Sequence, residues 1–159
     1  MKRTSKKCAL KRQKHKNPQN QTAVMVKKLR ADAHMPHRAH PTDSGADFFS
    51  MEDVTLEPGV PVKIFTGIAL ALPEGTSGLI WGKSSLESKG LKVLAGLIDA
   101  PYRGEVIVCM INLTGKAAHL HKGQKIAQLV VVPTRYPAFD ETPELPGSER
   151  GEGGFGSTG

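Results

Sequence analysis

Short alternating apolar segments, separated by turns rich in glycine and proline, run through most of this chain. Alternation of apolar and polar residues is typical of strands that bury one face. Because no segment between them is long enough for a crossover helix, the pattern predicts an all-β sandwich or barrel. The predicted strands are 22–29, 60–73, 76–83, 90–99, 104–114 and 125–133, with turns at 57–61, 73–78 and 121–125.

One short helix is predicted at 84–89. Ser84 and Glu87 have the spacing of a capping box. In that motif the serine hydroxyl accepts a bond from a free N–H of the first turn, and the glutamate carboxylate accepts one from the backbone N–H of the serine. Gly90 can adopt the left-handed conformation that ends a helix. The expected fold class is therefore all-β with one short helix.

Positive charge is concentrated at the N-terminus. Residues 1–31 contain 11 lysines and arginines and no acidic residue, whereas 32–159 contain 11 basic and 15 acidic residues, a net charge of 11 − 15 = −4. Residues 1–22 have too few apolar side chains to order themselves, so we expect a disordered basic tail. Three roles remain open for this tail: binding nucleic acid, serving as a nuclear localisation signal, or simply keeping the protein soluble.

The remaining chain divides into a folded body and an arm. We expect residues 23–136 to form one β domain and residues 137–159, where acids and prolines dominate before a glycine-rich end, to form a mobile arm. No apolar run reaches the roughly 20 residues of a membrane span, and the basic N-terminus lacks the apolar core of a secretory signal. The expected location is intracellular, in the cytoplasm or nucleus, without secretion.

Several formal motif matches lack the context that their chemistry needs. Residues 151–156 read GEGGFG, but a dinucleotide fingerprint must follow a strand and open a helix. Residues 82–84 resemble the end of a P-loop, yet Ser77 stands where that loop needs glycine. Cys8 and Cys109 form no C-x-x-C pair, which excludes cysteine zinc sites and disulfide scaffolds. A metal site is also not favoured at three histidines that recur beside prolines, His34, His37 and His40.

Three features suggest chemistry. Lys83 and Ser84 lie at the predicted helix start, where free N–H groups favour an anion, although an ordinary helix cap would look the same. Asp99 ends an apolar strand beside a proline turn, with Tyr102 close behind; it could activate a water or could simply be a turn residue. The third feature is a flap formed by Arg150 and the glycine-rich run around Phe155, for which a disordered tail is the alternative.

Together these features resemble the dUTP diphosphatase (dUTPase) family of the homotrimeric type. The resemblance covers roughly residues 24–159 and leaves the basic tail outside. Five family motifs occur in order, at 43–49 (DSGADFF), 82–90 (GKSSLESKG), 95–105 (AGLIDAPYRGE), 122–129 (KGQKIAQL) and 150–159 (RGEGGFGSTG).

The resemblance implies a jelly-roll-like β-barrel that assembles as a homotrimer with active sites at the subunit junctions. It implies hydrolysis of dUTP to dUMP and pyrophosphate, which keeps uracil out of DNA and supplies dUMP for thymidylate synthesis. It also implies Mg²⁺ as cofactor, held chiefly by the three phosphates and by water. The expected partners are dUTP and two further copies of the chain, with possible nucleic-acid contact through the tail and no membrane.

The resemblance also implies roles for individual residues. Asp99 would be the general base that orients the water attacking the α-phosphorus, and Tyr102 would pack on the deoxyribose. Asp47 would contact magnesium through water. The uracil edge would be read by the backbone around Leu94, Ala95, Gly96 and Leu97. The phosphate chain would be held by Lys83, Ser84, Ser85 and Gln128, and the closing arm would contribute Arg150, Gly153, Phe155 and Gly156.

Three features depart from the common family pattern. Lys83 stands where many members carry arginine, so that a planar guanidinium with two parallel donors is replaced by a single ammonium charge. Pro101 replaces a frequent second acid, and the side-chain amide often seen shortly before it is absent, since Val93 and Leu94 occupy that stretch. Two rival functions remain. A dCTP deaminase shares the fold but would need a cytosine-reading pocket, and a catalytically idle relative could serve as an interaction or nucleic-acid-binding protein.

Overall fold

The structure is a computed structural model, and it describes residues 23–153. Within that range short strands alternate with turns, and one helix follows the fifth strand. The elements are β1 (Met25–Lys28), β2 (Ala46–Phe49), β3 (Val54–Leu56), β4 (Val62–Ala71), β5 (Thr76–Gly82), α1 (Ser84–Glu87), β6 (Leu91–Ala95), β7 (Leu97–Asp99), β8 (Glu105–Asn112), β9 (Ala118–Leu120) and β10 (Lys125–Pro133).

The described strands lie in three sheets rather than in one closed barrel. One four-stranded sheet has the order β1-β4-β8-β6, a second has the order β2-β10-β5-β7, and β3 pairs with β9. All of these strand pairs are antiparallel. The predicted all-β, jelly-roll-like fold with one short helix is confirmed.

A single apolar core joins the three sheets. Strand β8 shows the underlying pattern, because Val106, Val108 and Met110 are buried while the residues between them face outward. Such alternation places one face of a strand in the core and the other on the surface. The core cluster combines residues of the first sheet (Ile64, Ile68, Val93), the second (Phe48, Ile80, Ile126, Leu129) and the third (Leu56, Leu120).

A bulge interrupts the pairing of β4 with β8. Its register against β8 shifts between Phe65 and Ala69, and Gly67 at the centre has a φ of +68°. The Gly67 N–H donates to the Glu105 carboxylate at 2.6 Å. A β-carbon at Gly67 would overlap the side chain of Ala33, so only glycine fits this position. On its other edge β4 pairs with β1 through residues 68–71.

The predicted strands correspond to observed ones, with one division. Strand β10 has the predicted bounds 125–133, but segment 90–99 is not one strand. It divides at Gly96 into β6 and β7, which belong to different sheets. Strands β2, β3 and β9 are not predicted, because they have only three or four residues each and so too few positions to show alternation. The predicted turns are confirmed, and each contains a glycine with positive φ (Gly59, Gly75 and Gly123).

The described part of the arm, residues 137–153, contains no strand or helix. Its larger apolar side chains face solvent, and Phe139 is 99% exposed. Within residues 23–153 no helix has the length and apolar character needed to cross a membrane. The predicted basic tail, 1–22, lies outside the described residues.

A buried asparagine links the end of β8 to the third sheet. Asn112 is fully buried, and its Nδ2 donates to the carbonyls of Leu56 and Lys116, each at 2.8 Å. Its Oδ1 accepts bonds from the N–H (2.9 Å) and the hydroxyl (2.7 Å) of Thr114. All the ordinary hydrogen-bonding positions of this amide are therefore occupied.

We predict that Asn112→Ala lowers the free energy of unfolding by about 3 kcal/mol, because it leaves several buried polar groups unpaired. Thr114→Ala is the matched control. It removes the hydroxyl bonds of Thr114, including one to Asn112 Oδ1, but leaves the other three bonds of Asn112 in place, and we expect a loss of about 1 kcal/mol or less. Urea unfolding at fixed protein concentration measures both. Equal losses would contradict the central role of Asn112.

Candidate functional site

A buried carboxylate between two lysines lies at one end of the second sheet. Asp47, on β2, is 4% exposed. Its Oδ1 accepts a bond from Lys83 Nζ at 2.5 Å, and its Oδ2 accepts one from Lys125 Nζ at 2.8 Å. Lys83 directly follows β5, and Lys125 begins β10. We call these three residues the lysine clamp.

The carboxylate of the lysine clamp is held in its charged form. Burial alone would raise the pKa of Asp47, but hydrogen bonds and charge from Lys125 and Lys83 outweigh burial and lower the pKa below its ordinary value. The clamp thus combines one anion with two cationic side chains. Its net charge of about +1 suits a site for an anionic ligand.

Gln128 lies beside the clamp, at the centre of β10. The strand registers pair it with Asp47 on one side and with Trp81 on the other, so the three residues form one row across the sheet. Gln128 Nε2 donates to the Gly82 carbonyl at 3.0 Å. A β-carbon at Gly45 would overlap the Gln128 side chain, so this glycine leaves the space that the amide occupies.

The helix next to the clamp differs from its predicted form. It covers only Ser84–Glu87, its N-cap residue is Lys83, and no side chain caps it. The predicted capping box is therefore wrong: Glu87 instead pairs with Lys92 at 2.8 Å. Gly90 does have the predicted positive φ, at +81°. A helix of four residues has little dipole of its own, so the positive charge here comes from lysine side chains.

Ser84 and Ser85 are both exposed beside Lys83. Among the described residues neither hydroxyl takes part in a side-chain hydrogen bond within the chain. Both therefore remain available to a ligand that approaches the clamp.

A separate cavity of about 180 Å³ lies at the junction of β6 and β7. This junction packs closely on β5, because Ile80 N–H donates to the Gly96 carbonyl at 2.7 Å and a β-carbon at Gly96 would overlap the Ile80 carbonyl. Leu94 and Leu97 point outward and are 51% and 69% exposed. The cavity is lined by Ile80, Gly96, Leu97, Ile98, Tyr102, Glu105, Val106 and Ile107.

Tyr102 forms one wall of this cavity and is fixed at both ends. Its N–H donates to the Asp99 carbonyl at 3.0 Å, and its hydroxyl donates to the Glu105 carbonyl at 3.0 Å. Gly104 lies directly against the ring, where a β-carbon would overlap the hydroxyl. The aromatic face is therefore held in place while 46% of the residue stays exposed.

Asp99 ends β7 with an exposed side chain, and it pairs with Ser77 at the start of β5. Lys83 follows the other end of the same strand. Six residues of extended chain separate Ser77 from Lys83, which amounts to about 20 Å at 3.3 Å per residue. The structure therefore places Asp99 next to the cavity but does not bring it to the lysine clamp of its own chain.

The described end of the arm makes a small turn of its own. Arg150 Nε donates to the Gly153 carbonyl at 2.7 Å, and Gly151 has a φ of +53°. The predicted arm residues Phe155 and Gly156 lie outside the described residues.

The acidic residues and histidines do not form a ready-made metal site in the part of the chain that the structure describes. In residues 23–153 no group of three or more His, Cys, Asp or Glu side chains is close enough to hold a metal ion. Each Asp47 oxygen already accepts a lysine N–H, so direct coordination would require breaking an ion pair. A second lone pair on each oxygen can still accept a bond from a water. Asp47 therefore fits magnesium only through water, as part of a metal–phosphate complex.

Lys125 and Trp81 belong to this region and were missed as site residues. Lys125 lies in the quoted segment 122–129, but its contact with Asp47 depends on the pairing of β10 with β2, which has no signal in the sequence. Trp81 is 59% exposed, and its position in the Gln128 row follows from pairing with β5.

Comparisons with known proteins agree on one family. The family model for dUTPase matches residues 31–159. The deoxyuridine 5′-triphosphate nucleotidohydrolase of Rhodococcus erythropolis is 47% identical over 141 residues, 86% of each chain. A mutant dUTPase of Staphylococcus bacteriophage 80alpha, solved with dUpNHpp, has a TM-score of 0.82 and 35% identity over 87% of this chain and 99% of that one.

A second solved structure comes from another phage of the same host. A mutant dUTPase of phage phi11 of S. aureus, described with the coordination of a structural Mg(II) ion, has a TM-score of 0.72 and 32% identity. The match covers 77% of this chain and 98% of the phage chain. Motifs, fold and relatives thus agree, and the chain belongs to the dUTPase family.

Proposed function

We propose that this protein hydrolyses dUTP to dUMP and pyrophosphate. The observation that carries the proposal is the pair of complementary half-sites: a cationic lysine clamp at one end of β5 and, at the other, an apolar cavity beside Asp99. A nucleoside triphosphate has the matching polarity, with an anionic phosphate chain and a flat base. The name of the Rhodococcus relative and the dUpNHpp in the phage 80alpha enzyme support deoxyuridine triphosphate as that nucleotide.

In this proposal Asp99 is the general base. Its carboxylate accepts a proton from a water as the water oxygen attacks the α-phosphorus. The bond from the α-phosphorus to the bridging oxygen breaks, and pyrophosphate leaves with the electron pair. The exposed side chain of Asp99 beside the Tyr102 wall is accessible to both water and nucleotide, as a positioned base must be.

The base and sugar would occupy the cavity at the junction of β6 and β7. Backbone groups of Leu94, Ala95, Gly96 and Leu97 would bond the uracil edge, and the close packing of Gly96 on Ile80 leaves little space for the methyl group of thymine. The fixed ring of Tyr102 would pack on the deoxyribose and exclude a 2′-hydroxyl. A rigid wall of this kind discriminates by shape.

The phosphate chain would bind Lys83, Ser84, Ser85 and Gln128, which lie together beside Asp47. Magnesium bound to the phosphates would neutralise part of their charge, and Asp47 would contact it through water. The structural Mg(II) ion of the phage phi11 enzyme supports a role for this metal in the family.

We also propose that three chains form a trimer and that each active site contains residues of different chains. The three phosphates of one nucleotide span far less than the ~20 Å that separates Asp99 from Lys83 along β5. A second chain can supply the missing half-site. The outer face of the first sheet also exposes a cross-strand apolar pair, Phe65 (43%) and Ile107 (37%), which suits burial against another copy.

The arm would complete the site. We propose that Arg150 contacts the phosphates and that Phe155 stacks on the uracil, with Gly153 and Gly156 giving the backbone freedom to close. The described arm supports this role because residues 137–153 are not part of any sheet of their own chain and expose their apolar side chains.

The biological role follows from the reaction. Removal of dUTP keeps uracil out of DNA, and the product dUMP is a precursor for thymidylate synthesis. Because both processes serve DNA replication, we propose an intracellular site of action, in the cytoplasm or nucleus.

The basic tail, 1–22, would be an addition to a complete enzyme. The family model begins at residue 31. The match to the phage 80alpha enzyme covers 99% of that protein but only 87% of this chain. We propose that the tail contacts nucleic acid through its eight lysines and arginines.

We predict that Asp99→Asn lowers dUTP turnover by about 10² to 10⁴ while the fold and dUTP binding are retained, because a positioned base contributes that much. Pyrophosphate release from dUTP measures turnover, with dTTP, dCTP and UTP as the test of specificity. Deamination of dCTP would instead favour the deaminase rival. Turnover near that of the unmodified protein would exclude Asp99 as the base.

We predict that inactive variants complement each other if sites are shared. Asp99→Asn chains and Lys83→Glu chains are refolded together at equal amounts, which makes about three quarters of random trimers mixed. Each mixed trimer has one site with both residues intact, so activity per site reaches about a quarter of the unmodified level. Native mass spectrometry confirms the mixed trimers. Activity equal to the sum of the separate variants would show that one chain supplies both residues.

We predict that deletion of residues 1–21 changes dUTP turnover less than about twofold, since surface segments away from a site contribute little. The same deletion weakens binding to a DNA or RNA oligonucleotide and reduces its salt dependence. Filter binding across a salt series tests the second effect. Unchanged nucleic-acid binding would leave the tail as a solvating segment.

A further inference from the structure

We propose that Lys125 is a further residue that binds the phosphate chain, and that Asp47 is the positioning residue that holds Lys125 and Lys83 side by side. The inference deepens the proposed function, since it concerns the same nucleotide site. It rests on four observations: the shared carboxylate, the exposure of the two ammonium groups, the net charge, and a bulge in β10.

The first observation is that one carboxylate anchors both lysines. Lys83 Nζ and Lys125 Nζ bond different oxygens of Asp47, at 2.5 and 2.8 Å, and therefore lie on either side of one group. An isolated pair of ammonium groups at this spacing would repel. The buried anion between them removes this repulsion and fixes their separation.

The second observation is that the two lysines reach solvent while their anchor does not. The side chain of Asp47 is 6% exposed, whereas those of Lys83 and Lys125 are 22% and 43% exposed. An ammonium group has three N–H donors, and its bond with Asp47 occupies one. The remaining donors of each lysine can therefore bond oxygens of a ligand that approaches from solvent.

The third observation concerns charge. One lysine would be enough to neutralise the Asp47 carboxylate, and two are bonded to it. The second lysine leaves the clamp with an excess positive charge beside a buried anion. An anionic ligand meets ammonium groups first, because they lie between solvent and the carboxylate.

The fourth observation is a bulge that changes the direction of Lys125. Gln128 pairs with Asp47 and Ala127 with Phe48, but Lys125 pairs with Phe49, so β10 has one extra residue here. Ile126 and Ala127 are consecutive and both fully buried, which breaks the alternation. Without the bulge Lys125 would share the inward face of Ala127. Bulges next to functional sites redirect side chains in this way.

The test uses tripolyphosphate, a phosphate chain without a nucleoside, and 2′-deoxyuridine, a nucleoside without phosphate. Binding to the full-length protein is measured by calorimetry in EDTA, so that no metal contributes. We expect Lys125→Met to weaken tripolyphosphate binding about tenfold or more and to change deoxyuridine binding less than twofold. Lys125→Arg, which keeps the charge, should restore most of the affinity.

The matched control is Lys122→Met, three residues earlier in the chain. Lys122 is exposed, and its ammonium pairs with Asp32 at 2.7 Å rather than with the clamp. We expect less than a twofold change in tripolyphosphate binding. Equal losses for the Lys122 and Lys125 variants would overturn the proposal, because the effect would then be one of general charge.

Asp47→Asn tests the positioning role, because the two explanations predict opposite changes in tripolyphosphate affinity. The substitution removes a negative charge, so simple electrostatics predicts tighter tripolyphosphate binding. If Asp47 positions the lysines, binding weakens about tenfold instead. Tighter or unchanged binding in the folded variant would overturn the positioning role, and if this variant does not fold, the Lys125 series decides the phosphate contact alone.

The outcome is separable from that of the proposed function. If the unmodified protein hydrolyses dUTP but Lys125→Met binds tripolyphosphate normally, only this inference fails. If tripolyphosphate binding depends on Lys125 but dUTP is not hydrolysed, the phosphate contact is supported and the proposed reaction fails. In active protein, Lys125→Met should raise KM for dUTP about tenfold with kcat changed less than threefold, because a contact made equally before and during the reaction alters binding alone.

Discussion

The pairing of β10 between β2 and β5 is the constraint on which the rest of this structure depends. Backbone groups of a central strand must be bonded on both sides, so β10 fixes the register of both neighbours at once. That register places Asp47, Gln128 and Trp81 in one row and brings the two lysines of the clamp to the same carboxylate. Glycines at close contacts, such as Gly45 against Gln128, then leave room for the polar side chains.

The length of β5 has an equally direct functional consequence. A strand is stiff and extended, so its two ends cannot approach each other, and a cationic clamp at one end stays far from an aspartate paired at the other. Under the proposed function, each chain thus presents two half-sites that lie too far apart to bind one nucleotide. The proposed trimer would bring half-sites of different chains together. The exposed Phe65 and Ile107 pair offers such copies an apolar surface.

Prediction from sequence succeeded for long strands. It failed for very short strands and where a residue on another element bonded a side chain that was expected to act locally. Strand β10 was predicted with its observed bounds because nine residues display their apolar pattern and a turn precedes them. Strands β3 and β9 have three residues and are defined only by their pairing with each other, residues 54–56 against 118–120. The capping box failed because Lys92, on a neighbouring strand, offers Glu87 an opposite charge that the local sequence does not reveal.

The sequence by itself determined the all-β class, the turns at positive-φ glycines, the family motifs and the types of residue available for chemistry. These properties depend on neighbours along the chain, where alternation and turn preferences act. Only the tertiary structure decided that Asp47 is buried between two lysines, that a bulge directs Lys125 toward it, and that Asp99 lies at the far end of β5. Those facts depend on strand register between distant segments, and register arises from packing and backbone pairing across the whole fold.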